Sequence, residues 1–469
     1  MENRSDLRSE ERAALALAML SSFLTPFMGS SINVALPSIA AEFSMGAVLM
    51  SWVATSYLLS AAVFLLPFGR ISDLKGRKRV FLWGVWTFFV ASVLCAIAPS
   101  PLSLIIFRVV QGIGSAMIFG TAVAILTSVY PPHERGKALG LSVAITYVGL
   151  SVGPSAGGAM TEFLGWRSLF LVMLPFCAVI LWIGIFRLKG DWAEARGESF
   201  DLRGSVIYAL SLTAVILGFS VLPDVVGGLL CVAGVAGIAV FALWESRVRN
   251  PVLNMSLFRD NRTFAFSNIA ALINYSATFA VTFLMSLYLH FVKGLTLDVV
   301  GVILVAQPVV MAAFSPLAGK LSDVIEPRII ASVGMAITTF GLTLLALMNA
   351  GTEILFVVLS LAVLGFGFAL FSSPNTNAIM GSVERRHYGV ASASVGTMRL
   401  VGQVLSLGIA TLFISLYIGS ADLTAALAPE FLKSYRLAFW TFAALCLFGV
   451  FASLARGKVR KGVPDVHSA

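Results

Sequence analysis

Arg108-Val-Val-Gln111-Gly112-Ile-Gly114 lies inside a long apolar run that opens at Pro101. The chain then crosses a polar loop, Pro131-Pro-His-Glu-Arg-Gly-Lys137, and enters a second apolar run, closing in Tyr147-Val-Gly149-Leu-Ser-Val-Gly153-Pro154-Ser-Ala-Gly157-Gly158. Each run has the roughly 20 apolar residues that a membrane-spanning helix needs, so the pair reads as a helical hairpin. A charged side chain at the bilayer centre costs about 2.5 to 3.5 kcal/mol on insertion scales, which turns Arg108 toward a bundle interior or a watery cavity rather than lipid. The hairpin is therefore expected to line a pathway.

A weaker copy of the hairpin lies further along the chain. Gly365-Phe-Gly367 answers Gly112-Ile-Gly114, Gly381-Ser-Val383 answers Thr127-Ser-Val129, and Arg386-His-Tyr-Gly389-Val-Ala391 answers His133-Glu-Arg-Gly136-Lys-Ala138. A second embedded arginine, Arg399, belongs to this copy. Two six-helix halves that repeat one another are the organisation of a transporter, with the substrate site expected near the midplane between them.

The bulk composition agrees. A chain of 469 residues that is 58% hydrophobic and 12% charged cannot be an ordinary soluble protein, and its mean hydropathy of +0.93 indicates a polytopic membrane protein. The formal charge of +9 is dealt out among loops instead of sharing one face. It therefore reads as membrane topology and not as a nucleic-acid surface. Cys95, Cys177, Cys231 and Cys446 all lie in apolar runs, too far apart for a metal pattern, so buried structural thiols are expected, with no metal and no cofactor. The first apolar stretch is too long for a cleavable signal peptide and follows a polar tail of mixed charge.

Apolar runs predict fourteen spans: 13–41, 47–68, 80–98, 101–130, 138–160, 168–187, 204–222, 226–244, 264–291, 297–319, 329–349, 353–380, 389–418 and 434–455. Under this division the tails and the loops after even-numbered spans hold 26 of the 32 Lys and Arg, against four in the opposite loops, so both termini are expected to be cytoplasmic. The expected organisation is a six-helix half over 1–190, a linker with two extra helices over 191–263, and a second six-helix half over 264–469.

The segment after the second span, Gly69-Arg-Ile-Ser-Asp73-Leu-Lys-Gly76-Arg77-Lys78-Arg79, carries more than a basic loop needs. Its two glycines permit a tight turn. An aspartate at a helix end beside cations also invites a charge relay that forms in one conformation and breaks in another. Gly319-Lys-Leu-Ser-Asp323 repeats the start of this segment, but Glu326-Pro327 stands where the Gly-Arg would be.

These segments resemble the motifs of the major facilitator superfamily. Gly69 to Lys78 is similar to its Gly-x-x-x-Asp-x-x-Gly-Arg-Lys signature, Arg108 to Gly112 to its Arg-x-x-Gln-Gly motif, and Gly149 to Gly158 to the Gly-x-x-x-Gly-Pro-x-x-Gly-Gly motif of antiporting exporters. Asn33-Val-Ala-Leu-Pro37 and Gly165-Trp-Arg-Ser-Leu-Phe170 resemble the fourteen-helix drug:proton antiporter branch, and the likeness covers nearly the whole chain. It implies an all-α integral membrane protein of the major facilitator fold, with two six-helix pseudo-repeats plus two inserted helices. Asp73, Arg77 and Lys78, with Gly69 and Gly76, would form the cytoplasmic gate, and Asp323 alone is carried over from the second copy. Arg108, with Gln111, Asn33 and Arg399, would serve coupling or substrate contact. Gly149, Gly153, Pro154, Gly157 and Gly158 would shape a helix at the interface of the halves, although helix packing alone also accounts for the glycines. Efflux of small amphipathic molecules by a monomer in the cell (inner) membrane follows from the resemblance, with protons as the coupling ion.

One departure bears on coupling. Members of the branch carry an aspartate five residues before the position of Asn33, and here that residue is Met28. Every one of the 23 carboxylates falls in a tail, a loop or a helix end. Proton-driven transport usually uses an intramembrane titratable group, which leaves His290, Glu42, Glu162 and Asp73 as candidates. His290, in Leu287-Tyr-Leu-His-Phe291, has a side chain suited to carrying protons, and an interfacial role is its plain alternative. Arg108 and Arg399 without a carboxylate favour neutral or anionic substrates over cationic ones. Tyr57, Tyr147, Asn274, Gln307, Asn375, Asn377 and Gln403 are further polar groups within apolar spans. A facilitator or exchanger, or a sensor with this fold, are the alternatives. A membrane enzyme would need clustered histidines and carboxylates, whereas His133, His290, His387 and His467 are scattered.

Overall fold

The computed structural model describes residues 4–45, 47–222, 224–418 and 427–457. Among these the chain folds into fourteen helices long and apolar enough to cross a membrane: α1 (Ser9–Phe43), α2 (Trp52–Lys75), α3 (Arg77–Ala96), α4 (Pro101–Val129), α5 (Arg135–Leu164), α6 (Ser168–Phe186), α7 (Leu202–Phe219), α8 (Val225–Glu245), α9 (Arg262–Val292), α10 (Val299–Val324), α11 (Pro327–Ala346), α12 (Ile354–Gly381), α13 (Arg385–Ile418) and α14 (Ala428–Ala455). No strand occurs among the described residues. Helices satisfy their own backbone groups, which is what a bilayer demands of a spanning segment. The polar connections supply the caps: Ser100 and Ser103 form a capping box with Pro101 at the start of α4, Asp201 accepts from Gly204 N on α7, and Asn261 accepts from Phe264 N on α9.

Glycines set how closely these helices approach. A Cβ on Gly114 of α4 would lie 2.9 Å from Gly84 O of α3, and a Cβ on Gly367 of α12 would lie 2.9 Å from Gly334 O of α11. The repeated glycines of the two hairpins thus make the same kind of contact in each half. Between halves the pairing is crossed, with Gly136 and Gly140 of α5 against Gly319 and Ser315 of α10, and Gly69 of α2 against Gly389 and Ala393 of α13. Without side chains at these points, backbones meet directly.

The hydropathy of α2 and α10 falls off before the helices end. The sequence closes these spans at 68 and 319, yet the helices run on to Lys75 and Val324. Their polar last turns reach the opposite half through Asp73 and Asp323. The expected loop of Gly69 to Arg79 is therefore mostly helix: only Gly76 breaks it, at φ 108, and α3 restarts at Arg77. Gly69 serves close packing and makes no turn.

Helices α7 and α8 pack on each other through Gly218, Gly227 and Gly234. The Tyr208 hydroxyl of α7 lies 3.3 Å from Ala62 O on α2 and 3.3 Å from Thr397 Oγ1 on α13. The pair is thereby seated over the seam between the halves.

Candidate functional site: a double latch and a midplane aromatic cluster

Asp73 is fully buried on the last turn of α2. Its Oδ1 accepts from Gly389 N at 2.8 Å and its Oδ2 from Val390 N at 3.0 Å, the first amides of the long helix that forms most of α13. Those amides have no intrahelical acceptor and carry the positive end of the helix dipole, so a carboxylate from the other half suits them. Arg77 donates to Asp73 Oδ1 through Nε at 3.1 Å and Nη2 at 2.8 Å, reaches Ser128 Oγ with Nη1 at 2.8 Å, and bonds Arg385 O in the second half. Its guanidinium lies 5.1 Å from the centre of the Tyr388 ring.

The second copy makes the same latch in reverse. Asp323 Oδ1 accepts from Gly136 N at 2.7 Å and Oδ2 from Lys137 N at 2.8 Å, at the start of α5. Pro327 occupies the position that Arg77 holds in the first copy. The sequence marks this copy as degenerate, but the contact needs only a carboxylate and two helix-end amides, and both are present.

The linker after α6 closes over the first latch. Ala195 N bonds Asp73 O at 3.1 Å, Arg77 N bonds Trp192 O at 3.1 Å, and Lys78 Nζ donates to Leu188 O. Lys78 thus holds the linker. Nothing in the composition of 188–198 indicates this role.

At midplane the halves meet through rings. Tyr147 of α5 packs edge-on to Phe368 of α12 at 5.8 Å, and Phe368 packs on Tyr275 of α9 at 5.4 Å. Arg399 lies 5.3 Å from the centre of Phe119 in the first half and 5.7 Å from that of Tyr275 in the second. Tyr275, Phe368 and Phe119 belong to no motif, so the sequence offers only an apolar periodicity that many lipid-facing rings share. Toward the end opposite the latches, Asn33, Leu150, Val152 and Pro154 are exposed. The bundle is closed at the latch end.

Several candidate residues sit elsewhere than expected. Arg108 is fully enclosed within the first half, donating to Val53 O at 2.9 Å and to Gln111 Oε1 at 2.6 Å, with its guanidinium 4.3 Å from the Tyr57 ring centre. Gln111 passes the chain on to Ser92 Oγ at 2.8 Å. Of the two environments that the charge permits, Arg108 takes the bundle interior and does not line an open path. Gly149, Gly153 and Gly157 face Phe23, Ser30 and Ser31 of α1 in the same half, Gly158 approaches Val34, and Pro154 is exposed. The close contact of α5 with the other half falls earlier in the helix, at Gly136 and Gly140. His290 lies in a π-helical turn, Tyr288–Val292, at the far end of α9, where its Nδ1 is 2.9 Å from Leu295 O. That is a local contact at a helix end, away from both the latches and the ring cluster. Glu42 pairs with Arg167 at 2.7 Å on the exposed outer rim.

Arg456 counts among the tail cations in the sequence, but it is fully buried just past α14. It donates to Asn375 Oδ1 at 2.7 Å and Ser267 Oγ at 3.1 Å, and burial pushes its guanidinium down to about 9. The other tail cations, Lys458, Arg460 and Lys461, lie outside the described residues, as does His467.

A bundle of fourteen spans, closed at one end by crossed carboxylate latches and meeting at a midplane ring cluster, defines a secondary transporter. The chain belongs to the Major Facilitator Superfamily, whose family profile matches residues 18–407 and again 267–467. It is 28% identical over 443 residues to the riboflavin transporter RibZ of Clostridioides difficile (strain 630), covering 93% of this chain and 95% of that protein. It is 31% identical over 416 residues to the multidrug resistance protein Stp of Mycobacterium tuberculosis (strain ATCC 25618 / H37Rv), covering 87% of this chain and 75% of Stp. Among solved structures, the proton:xylose symporter XylE superposes with a TM-score of 0.66 at 15% identity, over 95% of each chain.

Proposed function

We propose that this transporter exports small amphipathic molecules, neutral or anionic, by alternating access, with protons as the coupling ion. The observation that carries the reading is the pair of crossed latches. Asp73 and Asp323 each cross to the other half and end on backbone amides, so both contacts break together when the halves rock and neither needs a specific partner side chain. Protonation of Asp73 removes the charge from two charge-assisted bonds across the seam, which gives protons a route to the gate without a carboxylate in α1. The midplane cluster supports the substrate class: aromatic faces and Arg399, without a carboxylate among the contacts described there, fit an apolar body with neutral or negative polar groups. RibZ is named for riboflavin transport and Stp for multidrug resistance, which supports small organic molecules as the substrate class. Asp73, Arg77 and Asp323 act as gate residues, Lys78 holds the gate linker, and Tyr147, Tyr275, Phe368 and Arg399 contact substrate. The basic loops favour a cytoplasmic latch end in a cell membrane. Substrate uptake by proteoliposomes, with and without an imposed proton gradient, tests the reading.

A second reading has one observation in its favour. Met28 replaces the acidic residue of the branch and is fully buried in the core of the first half, which suits a facilitator or exchanger that has lost proton coupling. In that case Met28→Asp introduces a pH dependence of transport that the parent lacks. An unchanged pH profile shows that position 28 does not decide coupling.

A further inference from the structure

Beside the first latch, the gate and the linkers enclose a polar pocket of about 200 Å³. Four parts of the chain converge on it: Arg70 from α2, Glu198 from the linker after α6, Arg386 and His387 from the turn that opens α13, and Arg249 with Asn250 from the segment after α8. Arg70 is only 3% exposed. One of its Nη groups donates to Glu198 Oε2 at 2.5 Å, while its Nε is buried and has no hydrogen-bond partner. An unmet buried donor costs about 1 to 3 kcal/mol, more for a charged group, so Arg70 beside the pocket keeps donor capacity that its bond to Glu198 does not use. Glu198 is the acidic side chain on its wall, against three arginines. Glu384 pairs with Arg386 at 2.9 Å, but both side chains are more than half exposed, at 72% and 52%, so solvent screens that pair.

We propose that this pocket binds a phosphate group. Arginine forks match phosphate oxygens in a bidentate fashion, and Asn250 and His387 add neutral donors. The pocket is smaller than the roughly 300 Å³ at which sites for drug-sized ligands begin, which separates it from a route for the exported molecule. A free phosphate or the head of an anionic lipid supplies the same chemistry. Arg70 belongs to the first half and Arg386 and His387 to the second, so the pocket is assembled only while the Asp73 latch is engaged. The bound anion accordingly holds the latch end closed. The binding site stands apart from the export reading, and only this gating consequence rests on it.

The full chain, purified in detergent, is titrated with sodium phosphate against sodium chloride at matched ionic strength, with thermal unfolding as the readout. A parallel set of nanodiscs holds phosphatidylcholine with or without phosphatidic acid. The expected result is a saturable rise in Tm with phosphate and none with chloride. Arg249 and Arg386 are exposed, so Arg249→Gln and Arg386→Gln do not threaten the fold. Each is expected to weaken the phosphate midpoint about tenfold, the loss of one charge-assisted contact, with Arg249→Lys recovering part of it. Stabilisation by phosphatidic acid alone assigns the site to a lipid head. Equal effects of phosphate and chloride with no effect of phosphatidic acid, or midpoints unchanged in both glutamine variants, overturn the proposal whether or not the protein transports.

Discussion

Asp73→Asn isolates the charge of the first latch while keeping its shape. In the closed bundle Asp73 accepts from Gly389 N, Val390 N and Arg77 with no exposure to solvent. Bonds to a charged group contribute about 1.5 to 3 kcal/mol each against about 0.5 to 1.5 for neutral ones, so neutralising two of them across the seam removes about 2 kcal/mol from the closed state. The asparagine also turns an NH2 toward one of the amides and leaves the Arg77 charge without its carboxylate, which makes that figure a lower bound. A shift of 2 kcal/mol moves the open-to-closed ratio at the gate about 30-fold. Ser392 reports it: it is buried, and its hydroxyl reaches Phe119 O across the seam at 3.4 Å. In a Cys231→Ala background, Ser392→Cys reacts with a maleimide only when the latch end opens, because Cys95, Cys177 and Cys446 are buried. Labelling is expected to run about 30-fold faster with Asp73→Asn, and transport to be lost in a protein that remains folded. Labelling within twofold of the parent refutes the assignment of Asp73 as a latch.

Gly136→Ala places a Cβ against Gly319 O, a backbone atom that cannot turn aside, so the gate is expected to stay open; Ser392→Cys protected as in the parent contradicts this. Arg399→Gln is expected to weaken an anionic substrate about tenfold while leaving a neutral analogue of the same size within about twofold, measured by competition binding. Arg108→Ala breaks the bonds to Val53 O and Gln111 inside the first half, so a lower Tm of the purified protein is expected, with transport falling as that half loosens; an unchanged Tm with wild-type transport contradicts this.

The spans were legible because a bilayer imposes length and apolarity on every spanning helix, and hydropathy reads both directly. Asp73 stood out in the sequence as a carboxylate among cations at a helix end, but its contact with Gly389 N and Val390 N of the other half did not. The role of Asp323 was only half legible: its partners are the amides of Gly136 and Lys137, and backbone groups leave no mark in sequence. Gly69 read as a turn residue and Gly136 as part of a polar loop, since the need for a missing Cβ arises from a helix of the other half that local sequence does not show. Tyr275 and Phe368 were hidden for a related reason, because one ring among 35 phenylalanines becomes special only when another helix brings Tyr147 to it. Arg456 looked like one more tail cation until Asn375 and Ser267 closed around it.

Transport of a fluorescent amphiphile into liposomes that hold the purified protein inside out tests the central claim most directly. Accumulation is expected only under an imposed proton gradient, with proton release from the lumen when substrate is added, and with loss of both in Asp73→Asn. Equilibration at the same rate without a gradient would contradict proton coupling and leave a facilitator or exchanger. Absence of any uptake across neutral and anionic amphiphiles would contradict the export reading itself.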